Sequence, residues 1–99
     1  VIVRKDMPMI HRAVHGGHAL ITHCSESHVH KHPALVYLQV DSQSDLEGLA
    51  LLLSELPFYA TNFVENYGPF DQQLTAIALG PVKKGGMVTS ILSGLEVMR

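Results

Sequence analysis

The side chains with the most chemistry to offer are seven histidines: His11, His15, His18, His23, His28, His30 and His32. All lie within residues 11–32 of a 99-residue chain. Neutral imidazole ligates transition metals, and its titration falls in the physiological pH range, so one cluster supports two kinds of chemistry. The run His28-Val29-His30-Lys31-His32 is its sharpest part. Alternate residues of a strand share a face about 6.6–6.8 Å apart, near enough for two rings to meet one ion. His28 and His30 are therefore the leading ligand pair, with His32, His18 and His15 as candidates for the other positions. Such nitrogen ligands suit zinc, nickel or copper, although nothing else in the sequence requires a cofactor. A third ligand would come from another segment or a symmetry mate. Without any metal, protonating all seven rings would swing the formal charge from −2 to +5. An assembly holding them at an interface would then loosen below about pH 6.5.

The stretch His28 to Ala34 resembles the histidine-triad motif, in which histidines alternate with apolar residues. That family holds nucleotide hydrolases and transferases, and the resemblance implies that His30 attacks a phosphate. Gly17-His18-Ala19-Leu20-Ile21 is similar to a second stretch of that family, which there lies well upstream of the triad rather than beside it. Lys31 and Pro33 stand where the motif has apolar residues. The same alternation opens metal sites in metallo-β-lactamase-like and amidohydrolase-like enzymes, whose folds need far longer chains and further aspartates. Cupins are small enough, but their second motif has no histidine here to supply it.

Other reactive residues have plainer duties. Cys24 follows His23, and strand neighbours point to opposite faces, so a thiol–imidazole pair would need His18 or His28 instead. A lone cysteine after an apolar run reads as a small buried hydrophobe. Asp41, Asp45 and Glu47 suit a turn and a helix cap. Lys83-Lys84-Gly85-Gly86 lacks the order of a phosphate-binding loop and reads as a solvated turn. Glu26 is the one carboxylate inside the histidine segment, so a metal-bound water would need a base from elsewhere.

These residues must be positioned by secondary structure. Gly16-Gly17 has the composition of a primed two-residue turn, which predicts a hairpin over Met9 to Cys24 with His15 facing His18 and His11 facing Thr22. Alternation continues from His28 to Val40, with Ala34 to Val40 the clearest strand; Pro33 marks a bulge or edge. Leu46, Leu49, Ala50, Leu53 and Leu56 recur at helical spacing, with Ser44 and Glu47 spaced as a capping box and Pro57 as the stop. Phe58 to Val64 fits a strand or a helix. Gln73 to Leu79 fits a strand closed by Gly80-Pro81. Val88 to Met98 fits a C-terminal helix or a last strand pairing with residues 73–79. The expected fold is a single α+β domain over residues 1–99. Its small mixed or antiparallel sheet, an N-terminal hairpin plus a central strand, is packed by one long helix and a second C-terminal one.

Composition ranks the functions. Charged residues are 16% of the chain, against about a quarter in an ordinary globular domain. A small domain with so little ionic surface is expected to hide part of it against neighbours. There is no basic stripe to replace phosphate counterions, so nucleic acid is not an expected partner. The longest apolar run, Leu49 to Leu53, is too short to span a membrane. One cysteine closes no intrachain disulfide, and no signal-peptide pattern stands at the start, so the cytoplasm is the expected compartment, with a virion or shell component also fitting. The first expectation is a non-enzymatic subunit that forms a homo-oligomer or packs into a larger assembly, its histidines near an interface. A transition-metal-binding protein or small metalloenzyme using His28 and His30 comes second, and a histidine-triad-like phosphoryl-transfer enzyme third.

Overall fold

A computed structural model describes residues 1–27, 35–83 and 85–98. The fold is α+β, and the described residues form three α-helices on a mixed five-stranded sheet. In chain order these are β1 (Ile2–Arg4), α1 (Met9–Ser27), β2 (Leu38–Val40), α2 (Gln43–Ser54), β3 (Ala60–Val64), β4 (Leu74–Leu79), α3 (Met87–Ser93) and β5 (Glu96–Val97). The strands lie in the order β3-β4-β1-β2-β5. β1 and β2 are parallel, and every other pairing is antiparallel.

The parallel pair dictates what lies between its strands, because parallel neighbours need a crossover and cannot be joined by a tight turn. Residues 9–27 supply it as one helix, not as the expected hairpin. Gly16 is present for packing rather than turning. A Cβ built there would sit 2.6 Å from Tyr37 Cε2 and 2.9 Å from Val1 Cγ1, so glycine lets α1 lie close against these side chains. Of the expected strand up to Val40, Leu38–Val40 forms β2 and residues 35–37 stand outside it, while residues 28–34 lie outside the described residues.

Each face of the sheet carries a layer. Ile2 and Ile77 point to one face, where Leu46, Leu49 and Leu53 of α2 cover them and Ile91 and Leu92 of α3 close the side. Burying leucines of this kind contributes about 1.5–3 kcal/mol each against exposure. The helical stripe expected for this segment is therefore what packs. Its cap is Ser42 rather than Ser44: Ser42 is extended, and its Oγ accepts from the Asp45 backbone N–H at 3.2 Å. On the opposite face Val3, Ala76 and Ala78 meet Ala19 of α1. The small side chains on both surfaces let α1 approach the sheet closely.

Residues 60–64 resolve as a strand, and residues 87–98 divide between the two alternatives. Met87–Ser93 is helical, and Glu96–Val97 forms an edge strand on β2 rather than on residues 73–79. Among the described residues no helix is long and apolar enough to cross a membrane.

Candidate functional site

A helix presents residues three and four apart to the same side. His11, His15 and His18 therefore line one flank of α1, with ring centroids 6.2 Å apart for His11–His15 and 6.5 Å for His15–His18. In the expected hairpin His11 and His15 would have been far apart. Phe63 of β3 and Phe70 of the following 3-10 turn (Gly68–Phe70) wall the cluster, each meeting the His15 ring edge-on near 6 Å.

His15 is the centre. It is 4% exposed, and its Nδ1 lies 3.0 Å from Thr75 Oγ1 and 3.4 Å from Glu65 Oε2. Thr75 reaches this face through a break in strand alternation. Phe63 pairs with Ala76 and Val64 pairs with Leu74, so Thr75 is the extra residue of a β-bulge. A bulge re-aims a side chain that regular pleating would send the other way. Regular pleating would place Thr75 with Ile77 on the α2 face; here its hydroxyl meets α1. Glu65 is held by the same loop, its N–H donating to Gln73 O and its carbonyl accepting from Gln72 N–H.

Arg4 fixes that loop from beneath. Its guanidinium donates from Nε and Nη2 to both oxygens of Asp6 at 2.9 Å. Nη1 donates to Gln73 Oε1 at 2.7 Å and to Leu74 O at 3.3 Å, and the group lies over the Phe70 ring. The hydrogen bonds from Arg4, above all, hold the Asp6 carboxyl below its ordinary range. Burial holds His15 below the ordinary imidazole value; Glu65 opposes this, while His11, His18 and Arg4 reinforce it.

The arrangement defines what His15 can do. Thr75 Oγ1 also donates to Phe63 O at 3.4 Å, so its lone pairs are left to accept from His15 Nδ1–H. Thr75 and Glu65 thus both engage Nδ1, and the ring's lone pair sits on Nε2. In a nucleophile–base–carboxylate relay the nucleophile and the carboxylate occupy opposite nitrogens. Thr75, fully buried, is therefore an anchor for the imidazole and not an activated nucleophile.

A second buried imidazole, His23, serves the other end of α1. Its ring nitrogens contact Thr61 Oγ1 at 3.0 Å and Gly80 O at 2.8 Å, and it stacks on Tyr59, whose hydroxyl donates to Glu26. Both contacts tie the helix to the β3–β4 edge.

The expected metal ligands fare unevenly. His28, His30 and His32, and with them the triad resemblance, lie outside the described residues. His15 and His18 do not face each other across two strands; they are neighbours on one helix, and the Nδ1 of His15 is already engaged. Among the described residues no group of three or more histidine, cysteine or carboxylate side chains has metal-binding geometry. Cys24 is part-buried on α1. The residues that sequence reasoning missed are Arg4, Glu65 and Thr75. Thr75 is 60 positions from its imidazole, and neither its identity nor its neighbours signal a bulge.

A cleft of about 520 Å³ opens elsewhere, between α2 and β5, lined by Val40, Leu49, Leu52, Leu95 and the carboxylates of Asp41 and Asp45. Asp45 stands in the first turn of α2, where a carboxylate offsets the helix dipole. Comparison with family models, with curated proteins and with solved structures gives no match.

Proposed function

We propose that this chain is a small self-associating subunit whose contact surface is the outer face of α1. The observation that carries the reading is that α1 is inside out. Its buried side holds Arg12, His15, Gly16, Ala19 and His23, while Ile10 and Ile21 stand 72% and 69% exposed and Val14 48%. A helix ordinarily turns its aliphatic stripe to the core and its polar residues to water. Isolated exposed aliphatics are unremarkable, but a stripe of them along a helix that buries imidazoles marks a surface meant to be covered. The low charged fraction of the chain agrees with this. Light scattering of the untagged protein is expected to give a mass above the monomer. Ile10→Glu combined with Ile21→Glu places charges in the stripe and is expected to return the mass to the monomer with an unchanged helical circular-dichroism spectrum. A wild-type monomer at all concentrations removes the reading.

One observation favours a second reading, a general acid–base centre. His15 has its Nδ1 braced by Glu65 and Thr75, the latter delivered by a bulge, and bulges are frequent beside active sites. In that role Nε2 would take a proton, Glu65 would hold the tautomer and stabilise the imidazolium, and His11 and His18 would flank the substrate. Hydrolysis of a p-nitrophenyl ester is expected to exceed that of His15→Gln, with a rate that rises as His15 deprotonates. Equal rates for the two proteins dismiss it.

A further inference from the structure

We infer that the occupant of the α1 outer face is a second copy of the same helix, packed antiparallel across a two-fold axis, with Val14 of each copy seated over Gly17 of the other. This rests on the self-association reading and specifies its partner and register.

The argument starts from spacing. At 3.6 residues per turn, Ile10, Val14, Gly17 and Ile21 fall within an arc of about 60° on the exposed side of α1. Their intervals are four, three and four, so the stripe reads the same in either direction. A two-fold interface is self-complementary: if one residue meets another, the second meets the first in return. Antiparallel pairing about the midpoint of this stripe sets Ile10 against the partner's Ile21 and Val14 against the partner's Gly17. Parallel pairing would instead put Val14 on Val14 and leave Gly17 facing Gly17, a bulky contact beside a void.

Shape and charge agree. Among the described residues nothing lies within 4 Å of a Cβ built at Gly17, so none of them fills its vacancy, which lies open beside exposed Val14. Gly16, next to it, is filled from inside by Tyr37 and Val1. The adjacent glycines thus serve opposite surfaces, one toward the sheet and one toward the outside. Ala13 and His18, flanking the stripe, exchange places under the same symmetry. Apart from His18 none of these residues has an ionisable side chain, so the aliphatic stripe meets its own copy without like-charge repulsion.

Area sets the strength. α1 is about 28 Å long and about 10 Å wide. A single pair of such helices covers well under the ~800 Å² per subunit of a standard stable interface. The expected product is a dimer in exchange with monomer, its mass rising with concentration.

The test uses cysteine pairs in a Cys24→Ser background. Ile10→Cys and Ile21→Cys proteins are treated with a short thiol-to-thiol linker, separately and mixed. Along the helix these two positions are about 16 Å apart, so the orientations are well separated. The antiparallel register predicts that the mixture links several-fold faster than either protein alone. Comparable linking of each protein with itself overturns the register while leaving self-association standing. A mass that stays monomeric up to roughly 1 mM overturns both. In a parallel measurement Gly17→Leu, whose Cβ meets no described atom within 4 Å, is expected to weaken association by about tenfold or more by filling the seat for Val14. Undiminished association of that variant overturns the Val14–Gly17 contact.

Discussion

Replacing Arg4 with methionine lowers the folding stability of this domain by about 3 kcal/mol, read as a fall in the urea midpoint with little change in slope. Methionine keeps most of the buried stem and removes every donor. Arg4 is 4% exposed and supplies hydrogen bonds to Asp6, Gln73 and Leu74 O. Leu74 O and Gln73 Oε1, both part-buried, accept from that one guanidinium, and an acceptor shielded from water and stripped of its donor costs about 1–3 kcal/mol. Asp6 contributes less, because its side chain is 40% exposed and recovers water when the pair is broken. Asp6→Asn is therefore expected to cost under about 1 kcal/mol, although it removes the formal salt bridge. Arg4→Lys falls between the two, since an ammonium cannot span both carboxylate oxygens and reach Gln73 Oε1 and Leu74 O at once. Equal losses for Arg4→Met and Asp6→Asn would show that the ion pair, and not the loop's acceptors, is what Arg4 sustains.

The Arg4 contacts also explain why the site was hidden in the sequence while much of the fold was legible. Leu46, Leu49 and Leu53 announce α2 because a helix on one face of a sheet needs a stripe at that spacing, and they are the residues that bury. Gln73 to Leu79 reads as a strand closed by Gly80-Pro81, and Leu74–Leu79 forms one. α1 gave the opposite signal. Its core-facing side is small or polar, so it carries no helical hydrophobic period toward the sheet, and Gly16-Gly17 has the composition of a turn. What decides against the turn is the closeness of Tyr37, a contact across 21 positions that no local window contains. The hairpin register brings His15 to His18 but holds His11 away from His15, whereas the helix sets all three along one flank. Glu65 and Thr75 come to His15 only through the bulge in β4, which depends on how two strands are registered.

His15 then predicts how the domain responds to acid. In the unfolded chain its imidazole takes up a proton near the ordinary value of 6.5. In the folded chain burial disfavours the cation, with His11, His18 and Arg4 adding repulsion, and the attraction of Glu65 does not offset them, so protonation waits for lower pH. Between those two points the unfolded state binds more protons than the folded one, and stability rises with pH wherever that holds. The contribution of His15 is therefore whole above about pH 6.5 and is lost as pH falls through the folded-state value. Asp6, held low by Arg4, adds a separate loss in more acid solution, below the ordinary carboxylate range. Urea midpoints between pH 7.5 and 5 are expected to fall for the native chain and to stay flatter for His15→Gln, which keeps a polar side chain beside Thr75 and Glu65 without a titrating proton. His15→Leu is expected to flatten the profile too, and to cost about 2 kcal/mol at neutral pH, because Glu65 loses the ring N–H that faces it. A profile of unchanged steepness in both variants would place the acid sensitivity in other groups. A loss confined to His15→Leu at neutral pH, with His15→Gln still as steep as the native chain, would leave the imidazole a packing role alone.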